Sequence, residues 1–341
     1  MKYLIFNINI FFFTFFNITA LQQEWTCTFK KKFKDDDTKE FLNKKEISFS
    51  KNGIEQFNQL IFCWNIIRPK TGYFTFYVKP RYASSSKYGE WYKMADWGNN
   101  IQRSHCTMQT GNTSFVYVRL EMPMEKLADG FILKVVSNDN ADFSLIKMLG
   151  VCVSNFAKFK NENPKDYFNL PSIKINEVPQ KSQMILKDQD CKSMCSPTST
   201  SMLVSYLTKK EHDPLSFAFN VYDNGLGAYG SWPFNTAHAF EMCPDYYFIV
   251  TRLKNFAYLH SNLMRGLPVV VSVRGKLDTA PQEYNKGHLI LIIGWDQIKK
   301  EVLCHDPAFD TNEKVFHQYN LSTFLKAWEK SNRLSYVVEK S

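Results

Sequence analysis

"CKSMCSPTSTSM", residues 191–202, sets two cysteines four positions apart, ahead of small hydroxyl residues broken by one proline. With Pro197 in the first turn of a helix, where its missing N–H costs nothing, Cys195 comes just before that turn, near backbone N–H groups that lack acceptors. Such a tip favours a thiolate and lowers the thiol pKa, the usual way to make cysteine nucleophilic near neutral pH. Met202, Leu203, Tyr206 and Leu207 then recur at helical spacing and would bury the helix against a core. Cys191 lies in the preceding loop without that placement, so a disulfide or plain burial accounts for it.

A nucleophilic thiol needs a base, and two apolar runs farther on supply one. "HLILIIGWD" (288–296) and "EVLCHDP" (301–307) read as an antiparallel hairpin. A turn centred near Gln297 sets His288 directly opposite Asp306, so the imidazole and the carboxylate share one face. The carboxylate would hold one tautomer and stabilise the imidazolium. A slip of one residue would turn Asp306 to the other face and bring His305 in. Gln183, in "VPQKSQM" (178–184), precedes Cys195 by twelve residues and is a candidate oxyanion donor together with the Cys195 N–H. Zinc held by His288, His305 and Asp306 is the competing reading, but the chain has no HExxH and no paired C-x-x-C. No cofactor is implied.

Around this centre the chain divides. A length of 341 residues suits two domains, and 44% apolar with 16% aromatic residues suits packed structure throughout. Residues 21–155 read as short alternating segments, "FCWNII", "GYFTFYVKPRY", "SFVYVRLEM" and "GFILKVVS", which predict an antiparallel β-sandwich. Residues 156–173 are polar, hold two prolines and read as a linker. Residues 174–341 mix helices and strands. "PVVVSV" is a buried strand, "LHSNLMRG" ends a helix on Gly266, and "LSTFLKAWEK" is a helix with Ser322 as N-cap. The predicted class is α+β.

The first twenty residues, "MKYLIFNINIFFFTFFNITA", combine one lysine, a Phe/Ile-rich stretch and Ala20, which predicts a cleaved signal peptide and a secreted or periplasmic protein with no later membrane span. Net charge is +9, or +8 without Lys2, which suits anionic cell-envelope polymers. "KKKFK" (30–34) is followed at once by "DDD", so nucleic acid is not indicated. Eight cysteines in an exported chain permit disulfides, with connectivity open.

Taken in order, "VPQKSQM", "CSPTSTSM", "GHLILIIGWD" and "HDPA" resemble the papain-like cysteine peptidases of the family that includes the double-glycine leader peptidases of bacteriocin exporters, most closely its stand-alone exported bacterial branch. "FNQLIFCWNI", "GEWYKMADWG" and "VYVRLEM" carry a weaker likeness to the β-sandwich that precedes the peptidase domain there. The resemblance implies a papain-like domain with Cys195 as nucleophile, His288 as base, Asp306 as orienter and Gln183 in the oxyanion hole. Ser196 departs from the glycine that many relatives place after the nucleophile, which leaves the substrate open. No G-x-x-x-x-G-K-[ST] is present, so no export ATPase is built in.

The expected activity is hydrolysis of an amide in a peptide or a peptidoglycan-like substrate, with acyl transfer to an amine as a variant. The alternative is an inactive protein that binds envelope or glycan through Trp91, Tyr92 and Trp97 on the β-sandwich.

Overall fold

The computed structural model describes residues 24–34, 41, 44–105, 108–111 and 113–341, so the stretch 1–20, read above as a signal peptide, lies outside the described residues. Two antiparallel sheets form the N-terminal half. One has the strand order Thr26–Lys32, Ile146–Ser154, Gln59–Ile66, Arg119–Glu121, Thr113–Val116 and Met108–Thr110. The other runs Glu46–Phe57, Ala128–Asn138, Tyr73–Tyr82, Tyr92–Gly98 and Gln102–Ser104, with Lys87–Tyr88 beside Tyr73–Tyr82. Aromatic side chains join the sheets: Trp64 stacks on Phe76 at 4.2 Å between ring centroids, and Phe29 meets Phe131 at 6.0 Å.

The C-terminal half is a third antiparallel sheet, ordered Tyr246–Arg252, Leu334–Lys340, Val269–Gly275, Tyr284–Asp296, Glu301–His305 and Phe316–Asn320, with Ile173–Lys174 paired to Tyr284–Asp296. Five helices accompany it: α1 (Cys195–Thr208), α2 (Pro214–Val221), α3 (Trp232–Met242), α4 (Phe256–Met264) and α5 (Leu321–Glu329). The chain is thus an α+β protein, as its sequence pattern predicts. No helix among the described residues is long and apolar enough to cross a membrane.

The halves share an extensive, specific boundary. Every residue of strand Gln59–Ile66 is buried, because α3 and strand Tyr246–Arg252 cover the face the second sheet leaves free. That double cover explains its unbroken apolar run. The Asn65 amide brackets Phe248, donating to its carbonyl at 2.8 Å and accepting from its N–H at 2.7 Å. Arg252 is buried and donates to the Gln59 side chain and the Ser331 and Asn332 carbonyls.

The structure adds detail at three places named from the sequence. The stretch 156–173 is a packed strap: Tyr167 meets Phe256 at 5.4 Å, and the Glu162 carboxylate accepts from the Phe256 N–H at the start of α4. Tyr92 and Trp97 are fully buried: five residues apart, they would alternate to opposite faces, but the register shift between Ala95 and Lys93 sets both opposite the buried Val78 and Phe74; Trp91 is partly buried beneath Lys79 and Lys134. They present no aromatic platform for a glycan. Asn320, not Ser322, caps α5, accepting from the Ser322 N–H at 2.9 Å. The cysteines among the described residues are free thiols.

Helix α1 is polar yet buried from Ser196 to Ser205. Two of its hydroxyls are spent locally, Thr200 on the Ser196 carbonyl and Ser205 on the Ser201 carbonyl, whereas Thr198 Oγ1 is buried without a partner; the small side chains let the helix lie close to the sheet. Ser199 donates to the Leu289 carbonyl and Ser196 bonds the Tyr336 hydroxyl, which staples α1 to two strands.

Candidate active site

The hairpin that carries His288 and Asp306 is not the one the turn position suggests. Its register runs Asp296 opposite Glu301 and Trp295 opposite Val302, then shifts by one at a bulge between Ile292 and Gly294, so that Leu291 faces His305. Extending the outer register would set Asp306 opposite Leu291, on the face away from His288. The bulged residue at 293 returns Asp306 to the His288 face, one pleat away from direct opposition. The expected pair therefore forms by a diagonal contact. His288 Nε2 lies 2.7 Å from Asp306 Oδ1.

Gly294, beside the bulge, lets strand Ile173–Lys174 approach closely. A Cβ there would sit 2.4 Å from the Ile173 carbonyl oxygen and 2.9 Å from Leu303. Gly294→Ala is expected to cost about 1–3 kcal/mol by overpacking. Thermal denaturation checks this, with a lowered midpoint the expected result and an unchanged one contrary to it.

His305 points the other way. Its Nδ1 bonds the Pro179 carbonyl at 2.9 Å, and burial pushes its pKa down to about 4, so it is neutral and outside the site. Among the described residues, no group of three or more His, Cys, Asp or Glu side chains is arranged to hold a metal ion.

Asp306 is fully buried and saturated with donors. Oδ1 accepts from His288 and, at 3.0 Å, from the Ala308 N–H; Oδ2 accepts from the Tyr284 and Tyr319 hydroxyls, both at 2.7 Å. Burial alone would raise its pKa, but the charge and hydrogen bond of His288 outweigh burial and hold it below the ordinary carboxylate value. Burial and the carboxylate push both phenols well above the usual tyrosine value, so they stay donors. Tyr284 also stacks on the imidazole, 4.0 Å between centroids and 19° from parallel, fixing the ring plane. Sequence reasoning missed both tyrosines. Tyr284 lies four residues before His288 on the same strand, which is the one signal that could have found it.

With Nε2 committed to Asp306, Nδ1 remains to serve Cys195, and the imidazole is hydrogen-bonded to that thiol. Cys195 is the first residue of α1, partly buried, and no side chain caps the helix. Its sulfur accepts from the N–H groups of Leu289 and Ser196. Burial pushes the thiol up, but the His288 hydrogen bond and charge, aided by those N–H groups, bring it below its ordinary value. For His288, burial lowers the pKa, and Asp306 followed by Cys195 raises it to about 10. Both shifts run toward the thiolate and imidazolium forms of the pair.

Gln183 is buried, opening the short turn Gln183–Ile185, whose preceding Ser182 caps it. Its N–H donates to the Pro307 carbonyl at 2.9 Å, and its Nε2 donates to the Cys191 carbonyl at 3.0 Å. It thereby ties the segment after Asp306 to the turn before Cys195. One of its two amide hydrogens is left over from that bond.

The chain is similar to the solved structure of a protein described as a C39-like peptidase from Bacillus anthracis, with 18% identity, a TM-score of 0.40, and coverage of 50% of this chain and 98% of that one. It is also similar to xylellain, a cysteine protease from Xylella fastidiosa, with 12% identity, a TM-score of 0.34, and coverage of 54% and 91%. No curated protein matches it. Residues 175–336, just under half of the chain, match the model of the Peptidase_C39 like family, and the C-terminal region is a domain of that C39-like peptidase type.

Proposed function

We propose that the chain is a cysteine peptidase that hydrolyses amide bonds in peptide substrates, with Cys195 as nucleophile, His288 as base and acid, Asp306 as orienter and Gln183 as an oxyanion donor. The observation that carries the reading is the imidazole held between a thiol at a helix tip and a saturated carboxylate. The Cys195 thiolate attacks the scissile carbonyl carbon, and the carbonyl π electrons move to oxygen. The Cys195 N–H, at a helical position with no intrahelical acceptor, and the spare Gln183 amide hydrogen stabilise that oxyanion. Collapse breaks the C–N bond as the His288 imidazolium gives its proton to the leaving amine, leaving a thioester. Water then loses a proton to His288, attacks the thioester, and returns the thiol and a free acid.

Peptide cleavage followed by mass spectrometry tests this, with Cys195→Ser as the inactive control. Gln183→Ala is expected to lower kcat by about 10²–10³-fold, with KM much less changed, as for loss of one oxyanion donor. Cleavage that persists in Cys195→Ser would sink the assignment, and an unchanged kcat in Gln183→Ala would remove Gln183 from it.

A further inference from the structure

We propose that the β-sandwich positions Cys195, acting through Asp223, so that it is a working part of the peptidase site; this rests on the peptidase reading. The contact begins at strand Gln102–Ser104, on the edge of the second sheet. Asp223 is fully buried in the loop between α2 and α3. Its Oδ1 accepts from the Ser104 N–H at 2.8 Å and from the N–H groups of Gly225 and Leu226 at 2.9 and 3.1 Å; its Oδ2 accepts from the Ser104 hydroxyl at 2.5 Å. Gln102 completes the clamp. Its amide donates to the Asn220 and Tyr222 carbonyls, and its carbonyl accepts from both the N–H and the side chain of Asn224. The approach is so close that a Cβ on Gly225 would sit 1.8 Å from the Ser104 carbonyl oxygen.

What the clamp holds is the rest of that loop. Asp223 pairs with Ala228 across it, and the next residue, Tyr229, packs 4.9 Å from Tyr222. Tyr229, Ala218 and Met194 form a small apolar cluster separate from the main core, with Leu186, Leu215 and Tyr222 against it. Met194 is fully buried and immediately precedes Cys195. Its carbonyl accepts from the Thr198 N–H, closing the first turn of α1, and its own N–H donates to the Cys191 carbonyl, which also holds Gln183. The backbone that sets the sulfur and the Cys195 N–H is thus seated on a cluster whose loop is fixed by the sandwich. A contiguous packed network of this kind carries displacement, since interiors are close-packed. Asp223 is a positioning residue in this scheme, with no contact to substrate.

Full-length Gly225→Ala pushes loop and sandwich apart without altering any site residue. The experiment measures iodoacetamide modification of Cys195 by mass spectrometry from pH 5 to 10, together with kcat and KM for a cleaved peptide. Folding is verified by circular dichroism. The expected result is modification and kcat reduced about ten- to a hundredfold at pH 7, as for small misplacements of a reacting group, with KM within about twofold. Folded Gly225→Ala protein with wild-type modification rate and kcat overturns the inference. If Gly225→Ala does not fold, Ser104→Ala, which removes only the hydroxyl bond to Asp223, decides by the same criteria. Wild-type protein whose Cys195 reacts slowly and independently of His288 would instead remove the underlying peptidase reading.

Discussion

In His288→Ala, fast alkylation of Cys195 at neutral pH disappears and the rate climbs only as pH passes the ordinary thiol value of 9.0. Two supports for the thiolate go with the ring: its hydrogen bond and its positive charge. Burial is then opposed only by the N–H groups of Leu289 and Ser196, which the substitution leaves in place. Peptide hydrolysis falls at least 10²–10⁴-fold, about the contribution of a positioned acid and base. In the unmodified protein the same proton logic gives an upper limit. Activity declines as pH rises through about 10, where His288 loses the proton that the leaving amine requires. Alkylation rates over pH, with and without the substitution, check both statements; equal rates at pH 7 would contradict the first.

The second large effect is at Asp306, and it separates stability from chemistry. Asp306→Ala leaves the Tyr284 and Tyr319 hydroxyls, the Ala308 N–H and the buried imidazole without their acceptor. Removing one partner of a buried pair costs about 3–5 kcal/mol, so the thermal midpoint drops on the order of 10 °C. Asp306→Asn keeps an acceptor oxygen and nearly the same shape, so its loss is smaller. It removes the charge, however, and with it the largest influence that raises the His288 pKa.

The pH dependence of stability follows from the same pair. Asp306, with its folded pKa lowered, contributes above the ordinary carboxylate value and loses that contribution as pH falls through the lowered one. His288, raised from 6.5 to about 10, contributes fully below 6.5 and loses its share as pH rises through about 10. Wild-type stability therefore falls at both ends, and Asp306→Asn flattens both arms. Denaturant midpoints across pH test this; a variant curve parallel to that of wild type would rule out the pair as its source.

Much of this arrangement is legible in the residues. Cys195 is marked by the proline-containing helix start, and His288 with Asp306 by two apolar runs a short turn apart. The register is not legible. The turn centre lies beyond Gln297, and a single bulged residue restores the face, beside a close approach of Ile173 to Gly294 from a strand more than a hundred residues away. Tyr284 and Tyr319 were invisible for a related reason. An aromatic residue on a strand reads as core, and only tertiary structure shows that its hydroxyl ends on a carboxylate. Tyr92 and Trp97, which the glycan-binding alternative needs at the surface, are core, the commoner place for aromatic residues of a β domain, and the register shift that sets both on one face is not readable from their spacing. The packing of 156–173 is not legible either, because its polar residues find their partners elsewhere in the chain, as Glu162 does at α4.

The most direct test of the account is an NMR titration of the His288 ring in the intact protein. An imidazolium that persists through neutral pH and titrates near 10, and that falls toward the ordinary histidine value in Cys195→Ser or Asp306→Asn, is the predicted result. A ring that titrates near 6.5 and takes no notice of either substitution would contradict the thiolate and imidazolium pair on which the proposed chemistry depends.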